Sequence, residues 1–156
     1  MNAATFEKRD KSEVGAGKSS IINLILDCQL LPTDAPKCTN TIIEIRYSDK
    51  KFARCIYKSE LAESENRTRE RPPKEIELND HKGIQDFKDC VAECDENEDN
   101  PFERVELYYP FKTLSKEVVI VDTPGIDGGN NVDQCLEAYL KRSYCFLYTM
   151  LDSPMV

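Results

Sequence analysis

At 156 residues the chain is long enough for one domain with a sizeable core, and 40% hydrophobic with 32% charged residues is the balance of a folded protein. A net charge of −8 without a basic stripe excludes general nucleic-acid binding. No apolar run approaches the length of a membrane span and no secretory h-region opens the chain, so no direct membrane contact is expected from this segment.

Residues 1–11 are a polar lead in which Phe6-Glu-Lys-Arg-Asp-Lys11 does not read as a buried strand. Residues 13–20, Glu13, Val14, Gly15, Ala16, Gly17, Lys18, Ser19 and Ser20, read as a loop built to hold nucleotide phosphates. Gly15 and Gly17 let the backbone turn tightly and aim N–H groups at an anion. Lys18 reaches the β- and γ-phosphates, and the Ser19 hydroxyl suits Mg²⁺. Ile21, Ile22, Leu24, Ile25 and Leu26 follow at helical spacing, so the loop feeds a helix N-terminus that adds its own dipole. Ser12 stands where the full loop pattern has glycine, and the plain alternative is a glycine N-cap on an ordinary amphipathic helix.

Residues 30–45 form a Pro-broken loop running into a strand, with Thr39 placed 21 residues after Lys18. A threonine on such a loop can offer its hydroxyl to Mg²⁺ and its carbonyl to an attacking water. On composition alone Thr39, Asn40 and Thr41 are interchangeable there. Thr41–Ser48 and Phe52–Tyr57, joined by Asp49-Lys50-Lys51, read as a strand pair with a short turn. Residues 58–80 are densely charged, mixed in sign and broken at Pro72-Pro73, which predicts a solvated helix or loop insertion. Ile84, Phe87, Val91 and Cys94 carry helical spacing, and an acidic loop over 95–101 ends that helix. Phe102–Tyr109 alternates as a strand expected to lie beside residues 117–121.

Val118 to Val121 is a continuous β-branched run of the kind found where both faces of a strand are covered. It ends in Asp122-Thr-Pro-Gly125. An acid at the carboxyl end of such a strand sits where α/β sheets put their ligands. The Asp122 carboxylate can hold Mg²⁺ through a water, and the Gly125 N–H can bond a γ-phosphate and register its loss. Plain strand-to-turn chemistry is the alternative. Cys135–Tyr144 reads as a helix with Leu136, Tyr139 and Leu140 inward, and residues 145–151 as a further buried strand.

Taken together, Gly-Ala-Gly-Lys-Ser-Ser-Ile-Ile-Asn, Leu-Leu-Pro-Thr, Cys-Thr-Asn-Thr-Ile-Ile-Glu-Ile and Val-Asp-Thr-Pro-Gly-Ile resemble the GTPase domain of the dynamin-like large GTPases over roughly residues 12–150. The wording of the threonine loop is similar to the nuclear branch called SLIP-GC. The resemblance implies an α/β fold of P-loop NTPase type, a mostly parallel sheet flanked by helices and incomplete at both ends. It divides the chain into the polar lead, a partial GTPase domain over 12–151 with a charged insertion at about 58–80, and a tail over 152–156. It implies GTP as substrate, Mg²⁺ as cofactor and hydrolysis to GDP and phosphate. Lys18, Thr39 and Gly125 then act in catalysis, Ser19, Thr39 and Asp122 hold the metal, and residues 13–20 with Asp122 and Gly125 hold the nucleotide.

Dynamins proper carry a Gln-Ser pair that orients water and a charge-compensating cation; here the matching residues are Val14 and Gly15. The guanine-specifying Thr/Asn-Lys-x-Asp motif is expected beyond Val156. A second reading follows: a catalytically weak remnant serving as an interaction module, for example a homodimer through the nucleotide face. A third, an ATP-using enzyme, is disfavoured because such strands tend to end in paired acids. Seven scattered cysteines (28, 38, 55, 90, 94, 135, 145) without a Cys-x-x-Cys read as free thiols in a reducing, cytoplasmic or nuclear compartment. With His81 as the single histidine, neither a serine-hydrolase triad nor a histidine-rich zinc site is expected.

Overall fold

β-Branched and aromatic residues alternate with charged ones over 42–57 and 102–109, and these segments supply the three central strands. The structure is a computed structural model that describes residues 17–33, 41–58, 60–61, 68–69, 71–92, 100–124, 139, 141–147 and 149. In chain order the elements are α1 (Lys18–Ile25), β1 (Ile42–Tyr47), β2 (Phe52–Tyr57), β3 (Glu60–Leu61), β4 (Thr68–Arg69), β5 (Lys74–Glu77), α2 (His81–Val91), β6 (Phe102–Tyr109) and β7 (Val119–Asp122). The main sheet runs β5-β2-β6-β1-β7, and β3 with β4 forms a separate two-stranded ladder.

The α/β class is as expected, but the described sheet is mixed rather than mostly parallel. β1 and β6 run parallel, whereas β1–β7, β2–β5 and β2–β6 are antiparallel. The physical reason lies in the connection over residues 48–51, which reverses the chain and is far too short for a parallel crossover. β1 and β2 are not paired with each other as the sequence suggested. β6 inserts between them, its Tyr109 opposite Tyr47 and its Tyr108 opposite Phe52. It therefore does not lie beside residues 117–121, from which β1 separates it.

Two rows of side chains cross the sheet on its covered face. One runs Ile120, Ile45, Leu107, Ala53, Ile76; the other runs Asp122, Ile43, Val105, Cys55, Lys74. Phe87 and Val91 of α2, both fully buried, pack into this core together with Leu26, Leu30 and Leu31. The opposite face carries charge: Arg46 pairs with Glu44 at 2.8 Å, Arg54 with Glu75 at 3.0 Å and Arg104 with Glu106 at 3.5 Å. Phe52 and Tyr108 stack there at 4.5 Å. One apolar and one polar face is the pattern of antiparallel pairing.

Several further expectations change. The charged stretch is not a helix where described: it contains the β3–β4 ladder and then β5, in which Ile76 alone is buried among exposed charged residues. Pro72-Pro73 favours the extended entry that makes this an edge strand. β7 is the other edge of the described sheet, and Val118 and Val119 are 47% and 39% exposed rather than covered on both faces. Cys145, Phe146 and Leu147 are exposed and outside any strand, not the buried strand the apolar run suggested. On α2, Phe87 and Val91 point inward as the spacing predicted, while Cys94 lies outside the described residues. Of the helix expected over 135–144, Tyr139 is helical and its hydroxyl bonds Glu44, whereas Lys141, Arg142, Ser143 and Tyr144 lie outside any helix. Among the described residues no helix is long and apolar enough to cross a membrane.

Candidate functional site

Gly17 caps the N-terminus of α1 with φ +76°, ψ 18°, in the left-handed region, and no side chain caps the helix. A β-carbon added there meets nothing within 4 Å, so the backbone angle and not crowding selects glycine. The first N–H groups of α1 are thereby left for another acceptor. Ile22 and Leu26 anchor the helix in the core, whereas Leu24 is 79% exposed, so only part of the apolar run faces inward.

The helix start meets the end of β7. Ser19 Oγ donates to Asp122 Oδ2 at 2.7 Å across 103 positions of sequence. Asp122 is 1% exposed, the last residue of β7 and opposite Ile43 of β1. Burial pushes its carboxyl above the usual range. The Ser19 hydrogen bond, the nearby Lys18 charge and the Thr123 amide act against that rise. Oδ1 is buried without a hydrogen-bond partner of good geometry among the described residues. A hydroxyl oxygen and a carboxylate with a spare buried oxygen are hard donors that fit Mg²⁺, which takes few protein ligands. No group of three or more His, Cys, Asp or Glu suited to a metal occurs among the described residues.

The structure thus brings together Gly17, Lys18, Ser19 and Asp122, and sets Ser20 exposed on the first turn of α1. Glu13, Val14, Gly15, Ala16, Thr39 and Gly125 lie outside the described residues. Among the three candidates of the threonine loop, Thr41 is committed elsewhere. It is 2% exposed, and its hydroxyl accepts from Asn100 Nδ2 at 2.6 Å.

Two asparagines not foreseen as important hold this region. Asn23 Nδ2 donates to the Leu31 carbonyl at 2.9 Å, while its Oδ1 accepts from the Leu30 and Leu31 amides at 3.2 and 2.9 Å. It clasps α1 to the chain that leads toward the threonine loop. The signal was an asparagine inside an apolar helical run, a residue that competes with helix unless it has such a task. Asn100 likewise bonds Thr41, the Cys90 carbonyl and the Phe102 amide.

A glycine-headed helix set against a strand-end aspartate on an α/β sheet is the arrangement of a P-loop-type fold. A model of the dynamin family matches residues 13–154, and the chain belongs to that family. It is similar to a protein of Caldicellulosiruptor sp. (strain Rt8B.4) described as an uncharacterized protein in the xynA 3′ region, 30% identical over 141 residues. That match takes in 89% of this chain and 31% of the relative, so the chain spans about a third of the relative's length. Two solved structures are also similar, each described as an oligomerised bacterial dynamin pair that provides a mechanism for the long-range sensing and tethering of membranes. The first is 24% identical, with a TM-score of 0.45, over 78% of this chain and 16% of that one. The second is 25% identical, with a TM-score of 0.47, over 83% and 17%. The family match does not single out a branch, and the threonine loop that resembled the nuclear one falls largely on residues 34–40, outside the described set.

Proposed function

We propose that this segment binds GTP with Mg²⁺ and hydrolyses it to GDP and phosphate. The observation that supports the reading is the 2.7 Å contact between Ser19 and Asp122, which joins the start of α1 to the strand-end acid. Lys18 neutralises the β- and γ-phosphates, and the amides around Gly17 and the start of α1 bind phosphate oxygens. Mg²⁺ held by Ser19, Asp122 and Thr39 supplies positive charge against the triphosphate. The Thr39 carbonyl orients the attacking water, and the Gly125 N–H binds the γ-phosphoryl oxygen that departs with the product. The commitment of Thr41 to Asn100 supports Thr39 in that role. Catalysis of this kind is positioning and electrostatics, so it depends on how well the loop is held.

A slower, mainly associative role is the second reading, favoured by Ser12 where the loop pattern has glycine and by Val14 and Gly15 where dynamins have Gln-Ser. Pairing through the nucleotide face is the form it takes. Free thiols at Cys28, Cys55, Cys90 and Cys145 support a reducing, cytoplasmic or nuclear setting. Titration with fluorescent GTP and ATP analogues, with and without Mg²⁺, followed by phosphate release, tests the proposal. Mg²⁺-dependent GTP binding with release is the expected result. Binding without release assigns the segment to the second reading, and a preference for ATP removes the first.

A further inference from the structure

At the far edge of the sheet from Asp122, Cys55 of β2, Lys74 of β5 and Cys90 of α2 converge. Cys55 and Lys74 are direct partners across the β2–β5 pair, so their side chains share the covered face. Cys55 is fully buried, and Cys90 packs half-buried against the core cluster that contains it. Lys74 Nζ approaches Cys90 Sγ at 3.4 Å. Cys90, Lys74, Asp86, Asp89 and Asn100 line an open cavity of about 330 Å³. A part-buried thiol beside an ammonium, with a second, fully buried thiol opposite the same lysine, is the arrangement that separates an attacked cysteine from a resolving one.

We propose that Cys90 and Cys55 form a peroxide-sensitive dithiol: a small hydroperoxide entering the cavity oxidises the Cys90 thiolate, and Cys55 then closes a disulfide between β2 and α2. In the first step the Cys90 sulfur forms a bond to one peroxide oxygen as the O–O bond breaks. Hydroxide leaves with the electron pair and is protonated by solvent. In the second step the Cys55 sulfur loses its proton and attacks Cys90, and the S–S bond forms as the S–O bond breaks. The oxygen leaves as water. The dithiol is oxidised by two electrons and hydrogen peroxide is reduced to two waters.

Hydrogen bonding from Cys55, against the effect of burial, and the Lys74 charge together lower the Cys90 thiol below its ordinary range; Asp89 acts in the opposite sense. Holding the proton for Cys90 and being buried raise the Cys55 thiol, as its role of delayed partner requires. The carboxylates of Asp86 and Asp89 at the cavity favour a small neutral oxidant over an anionic one such as oxidised glutathione. Cys55 and Asp122 lie on one row three strands apart, about 14 Å at ordinary strand spacing, so this site does not share groups with the nucleotide site.

The test is limited peroxide treatment of the whole chain, alkylation of remaining thiols and peptide mapping without reduction. The expected product is a peptide pair joined through Cys55 and Cys90, formed several-fold more slowly in Lys74→Gln and absent in Cys90→Ser. Cys55→Ala should accumulate a sulfenic acid on Cys90 that dimedone traps. Lys74 is exposed at a sheet edge, so its variant keeps the test valid if the buried Cys55 variant does not fold. A disulfide from Cys90 to another cysteine, an unchanged rate in Lys74→Gln, or preferential mixed-disulfide formation with oxidised glutathione overturns the proposal.

Discussion

The Ser19 hydroxyl and the Asp122 carboxylate are joined by a 2.7 Å hydrogen bond, although helix α1 and strand β7 are separated by nearly the whole described chain. Asp122 is buried and its Oδ1 lacks a well-formed partner among the described residues, which is costly unless the site serves a cation. Ser19→Ala removes one hard oxygen from that set. The ratio of GTP-analogue affinity with and without Mg²⁺ should fall on the order of tenfold, about 1.4 kcal/mol. Paired titrations of the two proteins measure it, and an unchanged ratio contradicts the metal role of Ser19.

The two described glycines with constraints fail for different reasons. Gly17→Ala meets open space but must hold φ +76°, which costs about 1 kcal/mol. At Gly83 a β-carbon falls 1.8 Å from the Glu77 carbonyl oxygen, a backbone atom that cannot swing away. Gly83→Ala should therefore cost more, about 2–3 kcal/mol. Urea denaturation of both variants should rank them in that order, and Gly17→Ala alone should also weaken nucleotide binding.

Asn23→Leu keeps the size of the side chain but leaves the Leu30 and Leu31 amides and the Leu31 carbonyl without their partner in a buried setting. Unfolding free energy should drop by about 3 kcal/mol. Since Asn23 clasps α1 to the following chain, hydrogen exchange should rise first at Leu30 and Leu31. A loss confined to a few tenths of a kcal/mol would show that the clasp is dispensable.

Glu44 supplies a pH dependence with a defined sign. Burial opposes its charge, but hydrogen bonds from Tyr139 and Arg46 and the charges of Arg46 and Arg104 outweigh burial and lower its pKa. The native state therefore favours the carboxylate, and this stabilisation is present above the unfolded carboxyl range and lost as pH falls through the lowered native value. Arg46 and Arg104 are both part-exposed and can turn to solvent, which limits the cost of losing their partner. Glu44→Gln should be less stable than the parent by about 1–2 kcal/mol at neutral pH. The gap should begin to narrow as pH falls below the ordinary carboxyl range, about 4, as followed by denaturation at several pH values.

The parts of this fold that were legible in the sequence are those where chemistry restricts residue type. A left-handed cap favours Gly17, and the β-branched run marks the strand that Asp122 ends; both positions are legible from residue type and context. Alternation in 42–57 and 102–109 correctly marked strands, because period two fixes which side chains face the core. It does not fix neighbours, and so β6 between β1 and β2 was not foreseen. The valine run of β7 suggested burial on both faces, yet an edge strand and a central one read alike when β-branched residues are continuous. Isolated Ile76 gave too little pattern to reveal β5 within a charged stretch. The thiol cluster depends on α2 packing against β5, the neighbour of β2, which spacing along the chain does not encode.

Calorimetric titration of Mg²⁺-GTP into the parent chain and into Lys18→Ala tests the central claim most directly. Micromolar or tighter binding to the parent, reduced by two orders of magnitude or more (about 2.7 kcal/mol or above) in the variant, is the outcome predicted. Equal affinity in the two proteins would contradict the assignment of residues 13–20 as the phosphate loop.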